Sequence, residues 1–167
     1  MARKIIYGVG GIVVRRGKRP RVAVVQRSKD ERWVLPNGKL RRDERAVTGA
    51  RREALEVTGF QVRVREFLGG IAYRARGRPK VVQFWRMQAA AQPSHEVTKD
   101  IVAVKWLPLT KAVRRLSYPL ERLFLNSVGH NAVLGPKHRL RRKTRVSAAK
   151  PKSLRRRSTR RARAKPM

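Results

Sequence analysis

Two glutamates, Glu53 and Glu56, stand three residues apart in "RREALEVTGF" (residues 51–60). At i and i+3 on a helix they share one face. Neighbouring carboxylates are the donor type that a hard divalent cation takes, with substrate phosphate oxygens completing its shell. Beside Arg51 and Arg52, the same pair also fits a salt-bridged, solvated helix face. The chain has only ten acids against 44 Lys+Arg, a formal net charge of +34, and four of the ten (Asp43, Glu44, Glu53, Glu56) fall within residues 43–56. That clustering makes the stretch the first place to look for chemistry.

The elements around it follow from pattern. From Arg45 to Thr58, Val47, Ala50, Ala54 and Val57 recur at helical spacing, and Gly59 supplies a stop. Before the helix, "PNG" at 36–38 marks a loop. "GIVVRRGKRPRVAVVQRS" predicts a hairpin, "FQVRVREFL" an alternating strand, and "GGIAYRARGRPKVVQFWRMQA" a second hairpin turning near Gly77–Pro79. "DIVAVKWLPL" gives a further strand, and "SYPLERLFLNSVG" a helix with Leu120, Leu123, Phe124 and Val128 on one side. Strands with two interspersed helices predict an α/β fold, a mixed sheet covered by helices on both faces.

The chain has 167 residues, enough for one ordinary domain and an appendage. It has no cysteine, which excludes disulfides and thiolate metal sites. The apolar run "IIYGVGGIVV" is too short to span a bilayer, and no small-residue cleavage site follows it, so a soluble, cytoplasmic protein without membrane contact is expected. The charge points to anionic partners without saying which. Residues 131–167 hold fifteen Lys+Arg, no acid and no aromatic. They cannot bury enough apolar surface to fold alone. The expected division is a folded domain over 1–130 and a basic, disordered tail over 131–167. Such a tail would contact nucleic acid through phosphates, nonspecifically and with steep salt dependence.

The wider spacing is more informative than the pair. Gly38, Glu44, Arg52, Glu53, Glu56 and Gly59 stand where the signature of the Nudix hydrolases (the MutT-like family) has its fixed residues, and "WVLPNGKL" looks like the family's lead-in. Ala54 and Phe60 fill its hydrophobic positions loosely. The chain departs at Val57, where the family pattern has a second glutamate that usually ligates metal. Two readings remain open there: a site with fewer protein ligands, or a degenerate site with little hydrolysis.

The resemblance implies a Nudix-type mixed sheet between helices over residues 1 to about 130. It also implies hydrolysis of a phosphoanhydride bond with Mg²⁺ or Mn²⁺. By that resemblance Glu53 and Glu56 would hold metal, with the Gly38 carbonyl as a further ligand. Arg52 would orient the glutamates and Glu44 would support the loop–helix geometry. Glu53 is the first candidate for general base, with Glu96 and Asp100 as additional acids. Arg27, Arg32 and Lys39, with Arg41 and Arg42, are candidate contacts to a highly anionic substrate of the diadenosine polyphosphate, diphosphoinositol polyphosphate or nucleoside triphosphate type. Trp33 and Trp85 fit core packing better than base stacking. The rival reading is a catalytically weakened scaffold that binds RNA or DNA through its tail.

Overall fold

A computed structural model describes residues 4–135. Their elements run β1 (Ile6–Arg15), β2 (Arg21–Arg27), β3 (Trp33–Val34), β4 (Asn37–Lys39), α1 (Ala46–Thr58), β5 (Val62–Ala75), β6 (Arg78–Ala89), β7 (Ile101–Leu107), α2 (Leu109–Arg115) and α3 (Pro119–Leu134). The main path of the sheet is β3-β2-β1-β6-β5, with β4 paired to β1 and β7 paired to β2. Only β1 and β6 run parallel. The other pairs are antiparallel. The fold is therefore the expected mixed sheet.

Alternation along the central strands builds a core on each face. Ile12 and Val14 of β1, Val22 and Val24 of β2, and Val82 and Phe84 of β6 pack with Ala112 of α2 and Leu125 and Ala132 of α3. Val9 and Val13 of β1, Ala23 of β2 and Met87 of β6 pack with Ala50 and Ala54 of α1. Successive side chains of a strand point to opposite faces, so one valine-rich strand serves α1 on one side and α2–α3 on the other. Helix α1 ends as its sequence requires: Gly59 adopts φ 78°, and its N–H donates to the Leu55 carbonyl.

Three sequence expectations need correction. The strand from Phe60 and the first arm of the second hairpin are one strand, β5. Register irregularities near Phe67 and Gly69 carry it past the break that Gly69–Gly70 suggested. Helix α2, a short element after Pro108, was missed, as were the brief strands β3 and β4. The inner face of α3 keeps only part of the stripe of Leu120, Leu123, Phe124 and Val128: Phe124 and Val128 pack, partly buried, against the core. The buried residues are Glu121, Leu125, Gly129 and Ala132, whereas Leu120 and Leu123 are exposed. Counting only large apolar residues displaced the stripe, because the inner face is headed by an acid and carries a glycine and an alanine.

Helix α3 runs to Leu134, past the compositional break at His130. From residue 136 onward the expected basic tail lies outside the described residues. Among the described residues, no helix is long and apolar enough to cross a membrane.

Candidate active site

The β4 strand lies along β1, with Gly38 opposite Val9, and α1 packs over the same strand. This brings the loop before the helix and the helix face itself together. Arg52 is the hub. Its Nε donates to Glu44 Oε1 at 2.8 Å and its Nη2 to Glu44 Oε2 at 2.9 Å, a bidentate pair. Its Nη1 donates to Glu53 Oε1 at 2.7 Å and to Glu56 Oε2 at 3.4 Å. Nη2 also donates to the Lys39 carbonyl at 3.2 Å. The five N–H donors of one guanidinium thus gather three carboxylates and the backbone beside Gly38. Side-chain exposure is 17% for Arg52 and 12% for both Glu44 and Glu53, against 36% for Glu56. A salt-bridged surface face would be more open than that. Arg51, one residue away, is exposed.

Each carboxylate responds to its setting. Hydrogen bonds from Arg52 hold Glu44 down to about 2, against a smaller opposing effect of burial, and the Arg41 N–H adds to the lowering. Glu44 also lies over the first turn of α1, where a side chain at Gly49 would meet its Oε2 at 2.8 Å. Burial pushes Glu53 upward, and the Arg52 hydrogen bond only partly offsets this. Like charges on Glu56 and Glu44 push in the same direction as burial. An acid held above its usual range is a stronger base than an ordinary carboxylate.

The donor set fits one hard divalent cation. Glu53 and Glu56 offer carboxylate oxygens on one face, and the Glu53 carboxylate packs directly against the Gly38 backbone. Among the described residues, no group of three or more His, Asp or Glu side chains is arranged to hold a metal ion. Magnesium does not require such a cage, because it is commonly held by one or two carboxylates with water and substrate phosphates. Val57 contributes nothing to the donor set. It is buried with Val25 and Val34, with Ile101 and Val104 against them.

The additional acids, Glu96 and Asp100, are exposed on the segment after β6. That segment is tied to the end of α1 through its backbone, by Thr98 N–H on the Glu56 carbonyl at 3.0 Å and Ser94 N–H on the Gly59 carbonyl at 2.9 Å. The basic candidates separate. Lys39 and Arg32 are exposed, and Arg41 reaches Glu56 Oε1 at 3.6 Å. Trp33 packs against the α2–α3 core with Lys105 and Arg115 over its ring. Trp85 packs on the α1 side against Phe67.

Arg27 instead lines a cavity of about 760 Å³ beside the loop, together with Asn37, Tyr73, Lys80, Tyr118 and Glu121. Glu121 is 5% exposed. Its Oε1 accepts the Leu35 N–H at 3.1 Å, and Asn37 Nδ2 donates to the Leu35 carbonyl at 2.6 Å. The cavity floor is therefore linked, residue by residue, to the strand that carries Gly38. Burial pushes the Glu121 carboxyl up to about 7, although the Leu35 N–H and the charges of Arg27 and Lys80 pull the other way. Sequence reading missed this residue. The signal was there in the spacing of Glu121, Leu125, Gly129 and Ala132, an inner face once small residues are counted as inward.

Comparison with known proteins matches residues 5–126 to the NUDIX domain. The chain is 34% identical over 107 residues to an 8-oxo-(d)GTP phosphatase of Mycolicibacterium smegmatis, covering 62% of this chain and 32% of that protein. It is 31% identical over 109 residues to a MutT-like protein of Streptomyces ambofaciens, covering 65% of this chain and 68% of that one. The chain thus spans about a third of the length of the M. smegmatis protein. Among solved structures, a C. elegans Ap4A hydrolase in a binary complex superposes with a TM-score of 0.68 at 20% identity, covering 75% of this chain and 96% of the other. A MutT protein from Methanosarcina mazei Go1 gives 0.66 at 17% identity, covering 78% and 97%. At these identities the superpositions speak for the fold alone.

Proposed function

The chain belongs to the Nudix family, and from that premise we propose that it is a pyrophosphohydrolase, dependent on Mg²⁺ or Mn²⁺, that cleaves a phosphoric anhydride bond in a nucleotide-type anionic substrate. The observation that carries this reading is the Arg52 hub, which draws Glu44, Glu53 and Glu56 to the backbone at Gly38. The relative named an 8-oxo-(d)GTP phosphatase favours a nucleotide carrying a polyphosphate over other anions.

In this reading Glu53, Glu56 and the Gly38 carbonyl hold the cation. When bound, it supplies charge neutralisation on the phosphoryl oxygens and lowers the pKa of a coordinated water. The protein's own part is positioning. Arg52 fixes the rotamers of three carboxylates that would otherwise repel, and Glu44, ionised through the whole working pH range, anchors Arg52 from the loop. Glu53 is our candidate to take the proton from the attacking water, because it is both buried and raised. Arg27, Arg32 and Lys39 are proposed to meet the phosphates. Glu96 and Asp100 are kept as additional candidate acids, on the segment bonded through its backbone to the end of α1. The decisive test is cation-dependent cleavage of nucleotide substrates, followed by separation of the phosphorylated products, and abolished by Glu53→Gln in a folded protein.

A further inference from the structure

Four cations gather on the α2 side of the sheet, opposite α1 and the Arg52 hub. Lys111, Arg114 and Arg115 of α2, with Trp33 and Leu107, line a cavity of about 490 Å³. Lys105 of β7 joins them through Trp33: its Nζ lies 5.3 Å from the centre of the ring, and the Arg115 guanidinium lies 5.4 Å from the same centre. All four cations are exposed, and Trp33 and Leu107 are half-buried. Among the described residues, no acid lines this cavity and none of the four cations forms an ion pair. Arg27, Arg41, Arg52 and Arg86, by contrast, each meet a carboxylate. Lys111 stands three and four residues before Arg114 and Arg115, so like charges are neighbours on the helix surface. That arrangement is unfavourable unless an anion lies against it.

We propose that this surface binds single-stranded nucleic acid, with phosphates on the cationic rim and a base against Trp33 and Leu107. Rim and floor together point to that ligand. An inorganic polyphosphate would use the cations and leave the apolar floor idle, and a duplex would keep its bases from the floor. A cationic groove with an aromatic platform holds a single strand without reading its sequence. A cation over an exposed ring is held weakly, whereas an ammonium or guanidinium bonded to phosphate is charge-assisted. Lys105 and Arg115 can therefore turn from the ring to the strand and open the ring face to a base. This cavity shares no described lining residue with the 760 Å³ cavity beside the loop, so the proposal does not rest on the hydrolase reading.

Trp33 reports the site directly, whatever else the basic chain binds. The chain has three tryptophans, and Trp85 and Trp106 pack on the α1 side, so their indole N–H signals serve as internal references. The test is nuclear magnetic resonance of the full chain, isotope-labelled at its tryptophans, in chelator. The probes are an oligothymidylate of about ten residues and an abasic strand of the same length and charge. The expected result is movement of the Trp33 signal alone with oligothymidylate. The Kd read from it should be at least about fivefold tighter than for the abasic strand, a ratio that one stacked base supports. Combining Lys111→Ala, Arg114→Ala and Arg115→Ala should abolish the movement, and alanine keeps α2 helical. An equal loss of charge at the turn between β1 and β2, by Arg16→Ala, Lys18→Ala and Arg19→Ala together, should leave it intact. Unchanged Trp85 and Trp106 signals in the free variants check that the fold is kept. A Trp33 signal that stays put in the wild type, or equal movement of all three signals, would overturn the proposal without any variant. Equal affinity for the abasic strand would also overturn it, because the surface would then read charge alone, and so would equal effects of the two triple variants.

Discussion

The Glu53 carboxylate occupies the space that a side chain on residue 38 would need: a Cβ at Gly38 would run into Glu53 Oε2. Gly38 does not have the positive φ that makes a substitution strained in itself. Gly38→Ala should therefore fold and displace Glu53. Because small misplacements at a reacting centre are costly, the expected loss in kcat/KM is about 100-fold, with a melting temperature close to wild type. A large fall in stability with undiminished activity per folded molecule would show that Gly38 serves the fold instead.

Arg52 links all three carboxylates of the site, and lysine cannot reproduce its fork. Arg52→Lys keeps the charge, yet should lower kcat by roughly 10- to 100-fold, the usual range for residues that orient ligands. Steady-state kinetics separates this from weaker substrate binding, because KM should move less than kcat.

Val57, at the position where the sequence resemblance expects a glutamate, is 6% exposed in a cluster of valines. From sequence alone, Val57→Glu would be expected simply to strengthen metal binding and raise the rate. The packing adds a cost: a carboxylate there loses apolar contacts and is desolvated. In chelator the variant should melt several degrees below wild type, on the order of 1–3 kcal/mol of stability. Added Mg²⁺ or Mn²⁺ should narrow that gap, since an ion bound only by the native state stabilises it. A gap unaffected by either ion would mean that position 57 does not face the metal.

Glu121 makes stability depend on pH in a direction opposite to that of a salt-bridged carboxylate. Burial raises its carboxyl from the ordinary value of 4.5 to about 7, so the folded state binds the proton more tightly than the unfolded chain. Its contribution is fully present below about 4.5 and is lost as pH rises through about 7. Urea titrations should show Glu121→Gln gaining on wild type across that window, by up to about 3 kcal/mol at 1.36 kcal/mol per pKa unit. The two proteins should converge near pH 4. A constant difference across pH would mean that the carboxyl is not desolvated.

The sequence showed clearly what depends on spacing and poorly what depends on depth. Helix α1, its stop at Gly59 and the coincidence of Gly38, Glu44, Arg52, Glu53 and Glu56 are local or fixed in register, so their pattern survives folding. Short strands β3 and β4 carry no periodicity of their own, and they exist because β1 and β2 offer them partners. Helix α2 is too brief to show a stripe. Glu121 stayed hidden because an acid in a basic chain reads as surface, and only the packing of α3 on the sheet turns it inward. For the same reason, Arg27 and Lys39 looked equivalent in sequence, while in the fold Arg27 lines the cavity and Lys39 is exposed.

The most direct measurement is the rate of phosphoanhydride cleavage, read by separating the products (pyrophosphate or phosphate from nucleoside triphosphates and diphosphoinositol polyphosphates, two nucleotides from diadenosine polyphosphates, AMP and ribose 5-phosphate from ADP-ribose), with Mg²⁺, with Mn²⁺ and with chelator, for wild type and Glu53→Gln. The expected result is turnover of at least one nucleotide that requires the divalent ion and is lost in a folded Glu53→Gln protein. No turnover of any substrate, or turnover that Glu53→Gln leaves intact, would contradict the assignment of the Arg52-centred glutamates as a hydrolytic site.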